Sequence, residues 1–344
     1  MLRRRFTAAL AAPVLAAPAA RIGAAVIGTG HGHAMSKIRA LRGMAEYELA
    51  GVCPHPGEPA EHDALRGLKR LTLEQVLDDA GIELVAVESA DVERNLEYAE
   101  QCVQAGKFVH LDKPPGADLA RLRRLLEEAG KRGRVVQMGY QWRYHPAFRA
   151  VMEAARRGWL GRLYRFRASI DKLILADERS HLAKFRGGMM FSEGCHLIDC
   201  AVAVLGKPRK VAGFLRHDGT LQDGLADNTL AVLEYGHALA EISLAGFHPR
   251  GASHRFVEIL GFNGSARFQP FTFPSRLTVD LHEAAGPYKA GMQTIDVPAP
   301  PGPGYTPDFR EMAAVIRAQT APAYSVEHDL NTHETLLRVC GMHG

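Results

Sequence analysis

"AAVIGTGHGHAMSKI", residues 24–38, decides how the chain is read. An apolar run ends on Gly28, a second glycine follows at Gly30, and the apolar spacing then turns helical. The first half reads as a buried strand and the second as an amphipathic helix. Gly28 and Gly30 match the first two positions of Gly-x-Gly-x-x-Gly. There, one glycine makes the tight turn and the other lets the backbone approach a pyrophosphate. The third position is His33, whose ring should crowd the helix–strand contact unless Gly32 and Ala34 leave room. Its place between a first strand and a first helix gives the motif its weight.

Working outward, apolar strand candidates at 22–28, 47–53, 82–89, 107–111 and 134–140 alternate with helical stretches at 33–44, 73–81, 91–106 and 119–133. Short links and near-continuous apolar strands predict an α/β domain, a parallel sheet covered on both faces. After about residue 145 the pattern changes. A helix at 145–158, a strand at 163–175 and a helix at 191–206 lead into closely spaced strands at 210–217, 227–235, 238–247, 254–262, 265–271 and 275–282. Hairpin turns are expected at 234–239 and 261–266. This second half predicts an α+β domain, a mostly antiparallel open sheet with helices on one face. A Pro/Gly link at 299–307 precedes closing helices at 308–319 and 327–341.

Composition narrows the function. The 344 residues are 47% hydrophobic and 23% charged, enough for two domains with sizeable cores. The formal charge of +4 includes Arg3, Arg4 and Arg5, so the body is near neutral and a nucleic-acid partner is not expected. Residues 1–20 join a basic start to an Ala/Leu run and Ala17-Pro18-Ala19. Arg3-Arg4-x-Phe6 resembles a twin-arginine export signal, predicting an exported, periplasmic protein, with a cytoplasmic one as the alternative. The apolar run is too short for stable membrane insertion. The five cysteines are odd in number and lack Cys-x-x-Cys spacing, so they read as small buried apolar residues.

His31 and His33 form His-x-His, yet no carboxylate lies at ligand spacing along the chain, and no metal is expected. The second strand ends in "GVCPHPGE", residues 51–58, with Pro54 and His55 where an acid for the adenosine ribose often stands. Glu58 is the nearest acid. "VHLDKPPG", residues 109–116, ends the fourth strand at the carboxyl edge, where open parallel sheets bind ligands. Pro114 holds Lys113 in extended geometry on a stiff stalk.

"GTGHGHA" (28–34), "AGKFVHLDKPPG" (105–116), "MGYQWRYHPAF" (138–148) and "GGMMFSEGCHLIDCAVAVLGKP" (187–208) occur in this order. Together they resemble the Gfo/Idh/MocA family of nicotinamide-dependent oxidoreductases. Asp112-Lys113-Pro114 is a variant of the family's Glu-Lys-Pro. The resemblance implies a Rossmann dinucleotide-binding domain over 21–143 and a substrate and oligomerisation domain over 144–344. It implies NAD or NADP held around Gly28, Gly30, His31, Ser89, Asp112, Lys113, Pro114, Gln141 and Arg143. Lys113 and His196 are the implied catalytic pair, acting on a hydroxyl of a sugar-like substrate. Tyr140, Trp142 and Tyr144 are candidates to line the cleft. "SEGCHLID", residues 192–199, matches the family's Asp-x-x-x-His at His196, but Ser192 stands at the aspartate. Glu193 lies about 100° away around a helix and is not a simple substitute. Asp199, one turn on, is a candidate to orient His196. A homodimer or tetramer is also implied. Two other readings stay open: a redox-cycling glycosidase or lyase with a resident cofactor, and a non-catalytic binding protein of the same fold.

Overall fold

The computed structural model describes residues 20–342. The export leader expected over 1–20 lies, but for its last residue, outside the described residues. Among these, no helix is long and apolar enough to cross a membrane.

The first domain is a five-stranded parallel sheet in the order β2-β1-β3-β4-β5. Its strands are β1 (Ile22–Ile27), β2 (Tyr47–Cys53), β3 (Leu84–Val87), β4 (Phe108–Leu111) and β5 (Val136–Met138). The crossovers carry α1 (Ala34–Gly43), α2 (Leu73–Asp78), α3 (Val92–Gln104) and α4 (Leu119–Lys131). Helix starts follow local chemistry. Asp91 accepts from the N–H groups of Glu93 and Arg94, and Asp118 from that of Arg121. From β1 the chain runs to β2 on one side and later returns to β3 on the other. The carboxyl ends of β1 and β3 therefore form the switch point where such sheets bind ligands.

The second domain holds α5 (Pro146–Arg156), β6 (Leu163–Asp171), α6 (Ala176–Leu182), α7 (Cys195–Leu205), β7 (Lys210–Arg216), β8 (Asn228–Glu234), β9 (Leu239–Ala245), β10 (Phe256–Gly261), β11 (Gly264–Gln269), β12 (Ser275–Leu281) and β13 (Gly291–Val297). The eight strands form one sheet, β13-β12-β11-β10-β6-β9-β8-β7. Only the β6–β9 pair is parallel. Burial alternates along β8, β9, β10 and β12, so one face packs inward. Both expected hairpins are present, joining β8 to β9 and β10 to β11. Two short elements escaped the sequence reading. α6, "ADERSHL", is mostly polar, and β13, "GMQTIDV", is an edge strand without alternating burial. The helix read over 191–206 is also two pieces, a single π-helical turn at Met190–Gly194 and then α7.

The chain closes with α8 (Thr306–Ile316) and α9 (Val326–Val339). α8 returns to the first sheet. Phe309, Met312 and Ala313 share a buried cluster with Ile22, Ala24, Val26, Ile38, Leu41 and Tyr47. The Tyr47 hydroxyl donates to the Phe309 carbonyl at 2.6 Å. This segment of the second half of the sequence thus belongs by packing to the first sheet. Phe309→Ala should cost about 3–5 kcal/mol in urea denaturation. Tyr47→Phe should cost about 1 kcal/mol.

Candidate active site

Lys113 is not a solvated loop lysine. Its side chain is buried and Nζ donates to the Ser192 carbonyl at 2.9 Å, joining the end of β4 to the π turn before α7. Burial by itself would lower its pKa. Cys195, Glu193 and Asp112 outweigh that and hold Lys113 charged. Glu193 faces the same space. Burial would raise its pKa, but Lys113, Lys172 and His196 press it well below the usual carboxylate range. Lys172 Nζ stands 3.0 Å from its Oε1. Ser192 therefore contributes a backbone carbonyl, and the charged carboxylate nearby is the neighbour on the turn.

His196 lies on α7 with its ring stacked on Trp142 at 4.9 Å and edge-on to Tyr140 at 5.8 Å. Its buried Nδ1 has no protein partner among the described residues. Burial first, and Lys113 second, lower its pKa well below the ordinary 6.5. The imidazole is thus neutral throughout the physiological range rather than poised in the middle of it.

Two expectations are corrected at this junction. Arg143 does not line a nicotinamide rim. Its guanidinium is buried, gives Asp199 two hydrogen bonds of 2.9 and 2.6 Å, and gives Asp329 one of 2.6 Å. Asp199 in turn does not orient His196, because its carboxylate takes Arg143 and, at 2.8 Å, His328 Nε2. Arg143 also lies over the rings of Tyr140 and Tyr324. Burial alone would raise the Asp199 pKa, yet Arg143 and His328 depress it. Asp329 lacks a comparable second cation, and burial keeps its pKa raised. His328 and Asp329 come from α9, too distant in sequence for any spacing to reveal.

The Gly-rich turn packs as its glycines require. Gly28 has φ +83°, and a Cβ there would stand 2.3 Å from the Ser89 amide nitrogen. His33 does not crowd the helix–strand contact. Ala34, fully buried, fills that position, and the His33 ring turns to Asp112 and Tyr305. Asp112 Oδ2 receives His31 Nδ1 at 2.5 Å, His33 Nδ1 at 3.1 Å and Lys37 Nζ at 3.1 Å. Its Oδ1 accepts the Lys113 N–H at 2.7 Å. Asp112, expected to touch cofactor, is committed to protein groups and positions the turn instead. Burial lowers His33 to about 4. The premise that no carboxylate stands near His-x-His is overturned as well, since β4 delivers one.

Glu58 reaches the same turn. Its Oε1 accepts from the Ser89 hydroxyl at 2.6 Å and the Ala90 N–H at 2.8 Å, and its Oε2 accepts from the Thr29 N–H at 2.6 Å. A Cβ on Gly30 would lie 2.6 Å from this carboxylate, so a larger residue there would push the Glu58 side chain aside. Beside it opens a cavity of about 590 Å³ lined by His55, Glu58 and Asp91 and, from across the cleft, Lys184, Arg186 and Phe191. At the other end of the cleft Gln141 lines a second cavity, of about 240 Å³, with Trp142, Phe271, Phe273 and Tyr305. Pro114 is buried behind Lys113. A glycine turn at the switch point and cationic side chains facing it fit a dinucleotide, while Glu58 is taken up by Thr29, Ser89 and Ala90.

The buried network makes a testable demand. Arg143→Ala strands two buried carboxylates and should cost about 3–5 kcal/mol. Because folding depresses the Asp199 pKa, its contribution is full above the unfolded value of 3.8 and fades as pH falls through the folded value. The stability gap between wild type and Asp199→Asn, read by urea denaturation, should therefore narrow on acidification below 3.8.

Comparison with known proteins places the chain. Residues 22–140 match the oxidoreductase family with an NAD-binding Rossmann fold, and residues 148–267 match the GFO/IDH/MocA C-terminal domain. The trans-1,2-dihydrobenzene-1,2-diol dehydrogenase of Bos taurus is 27% identical over 209 residues, 59% of this chain and 57% of that protein. The dTDP-3,4-didehydro-2,6-dideoxy-alpha-D-glucose 3-reductase of Streptomyces violaceoruber is 32% identical over 123 residues, 35% of this chain and 36% of that protein. The chain thus spans about half the length, or less, of these curated relatives. An oxidoreductase from Agrobacterium radiobacter, solved with NAD+, L-tartaric acid and magnesium, has a TM-score of 0.76 over 94% of this chain and 97% of that one. At 15% identity this is a likeness of fold. Two family domains in the right order, on the fold that houses them, make this chain a member of the Gfo/Idh/MocA oxidoreductase family.

Proposed function

We propose that the protein is a nicotinamide-dependent oxidoreductase acting on a hydroxyl of a sugar or sugar-like polyol. The observation that carries this reading is Lys113, held charged and buried across the interdomain cleft on Ser192, with neutral His196 in the same space. The dinucleotide, when bound, accepts or donates hydride. The neutral His196 imidazole takes the hydroxyl proton, its Nδ1 being free of protein partners. The Lys113 ammonium stabilises the alkoxide charge as it develops, and Glu193 keeps that ammonium charged. The aromatic walls of the smaller cavity suit the apolar faces of a sugar ring, and the sugar-nucleotide reductase among the relatives supports this class.

Arg3-Arg4-x-Phe6 supports a further proposal, export of the folded protein with its dinucleotide aboard. An enzyme outside the cytoplasm would have to restore its nicotinamide within each turnover. Sugar–sugar oxidoreduction, or transient oxidation with elimination, would do so.

The first test is to denature protein purified without added cofactor and identify released dinucleotide by mass spectrometry. Stoichiometric NAD(H) or NADP(H) is the expected outcome. A protein that is empty and binds neither nucleotide on titration would overturn the proposal and favour the non-catalytic reading. Lys113→Ala and His196→Ala should each abolish turnover while dinucleotide stays bound. With His196 depressed below 6.5 and Lys113 raised above 10.5, kcat/KM for oxidation should be flat between these values. It should fall only at lower pH, as His196 gains a proton, or at higher pH, as Lys113 loses one. An inflection near 6.5 would remove His196 from the proposed role.

A further inference from the structure

The two histidines of the glycine turn meet more than a cofactor. His31 and His33 bring two imidazoles to one carboxylate, and the three donor groups have ligand atoms within 4.8 Å of one another. A single oxygen, Asp112 Oδ2, faces His31, His33 and Lys37 together, a crowd of three nitrogens on one acceptor. Asp112 and Glu88 share the buried Lys37, and the buried Glu88 Oε2 has no partner among the described residues.

The donor set says which cation. Two imidazoles and one carboxylate suit first-row transition dications, whereas magnesium and calcium prefer oxygen ligands. The other carboxylate oxygen, Oδ1, is held by the Lys113 N–H, as an outer-shell partner holds a metal ligand, while Lys37 shares Oδ2. Asp112 is buried, while the His31 and His33 side chains are 14% and 22% exposed, which leaves an entry from the cleft. Metal–ligand bonds of about 2.0–2.2 Å set neighbouring donor atoms roughly 3 Å apart. The His33–Asp112 distance of 3.1 Å already meets this, and the His31–Asp112 distance of 2.5 Å needs to open by about half an ångström.

We propose that His31, His33 and Asp112 form a site for a first-row transition-metal dication such as Zn²⁺, with its remaining positions open to oxygen donors in the cleft. The His33 ring stands 6.5 Å from that of His196, so an oxygen ligand there lies beside the proposed chemistry. The site is independent of the oxidoreductase reading, and the two can fail separately.

The test uses the full chain, stripped with a chelator and titrated with Zn²⁺ by calorimetry, with Mg²⁺ as the control and NAD+ titrated in parallel. One equivalent of Zn²⁺ should bind in the micromolar range or tighter, and Mg²⁺ should not compete. His31→Gln and His33→Asn should each weaken Zn²⁺ tenfold or more, with circular dichroism checking that both remain folded. Co²⁺ substitution should give visible bands in wild type that both variants lose. Absence of Zn²⁺ binding at millimolar concentration overturns the proposal, even where NAD+ still binds. So does Zn²⁺ binding that both variants leave unchanged, because it places the metal elsewhere, for instance at the His248–His254 pair. If either variant unfolds, the Co²⁺ spectrum of wild type decides. Bands typical of oxygen-only ligation would sink the site.

Discussion

A carboxylate buried at the end of a strand has to be answered by donors and cations, and Asp112 is answered from three directions. The Gly-rich turn brings His31 and His33, α1 brings Lys37, and the backbone of Lys113 closes the fourth contact. These contacts tie β1, α1 and β4 together at the carboxyl edge of the sheet. They set where the turn lies and how Lys113 leaves the strand. Without that anchor, the lysine that crosses to Ser192 would have no fixed origin, and the cleft between the domains no defined floor.

A second buried network stands opposite. Arg143, at the junction of the domains, is gripped by Asp199 of α7 and Asp329 of α9. It fixes α7, and so His196, against the junction that carries Trp142 and Tyr140. The two networks act as jaws, one holding the proposed ammonium and the other the neutral imidazole. Buried ion networks of this kind do little for net stability compared with apolar packing, but losing one partner is severe. Their contribution here is positional.

Much of this was legible in the chain. Alternating apolar runs and helical spacings carried both sheets, because parallel strands buried on two faces and strands buried on one leave different periods. Asp112-Lys113-Pro114 at a strand end pointed to the candidate site, since open parallel sheets bind ligands at that carboxyl edge. The limits are equally instructive. Arg143 sat in the expected segment, yet its guanidinium turned inward, because two acids remote in sequence wait there. Asp112 lay next to Lys113 but belongs to the glycine turn.

The order of elements apart from α6 and β13, the glycine turn, the lysine stalk and the family follow from the sequence itself, because each is written in residues within a few positions of one another. Backbone sterics and hydrophobic period are local. The pairing of His31 and His33 with Asp112, of Arg143 with Asp199 and Asp329, and of α8 with the first sheet was decided only by tertiary structure. Charges and apolar faces choose their partners by proximity in space, and spacing along the chain does not encode which buried carboxylate will find which cation.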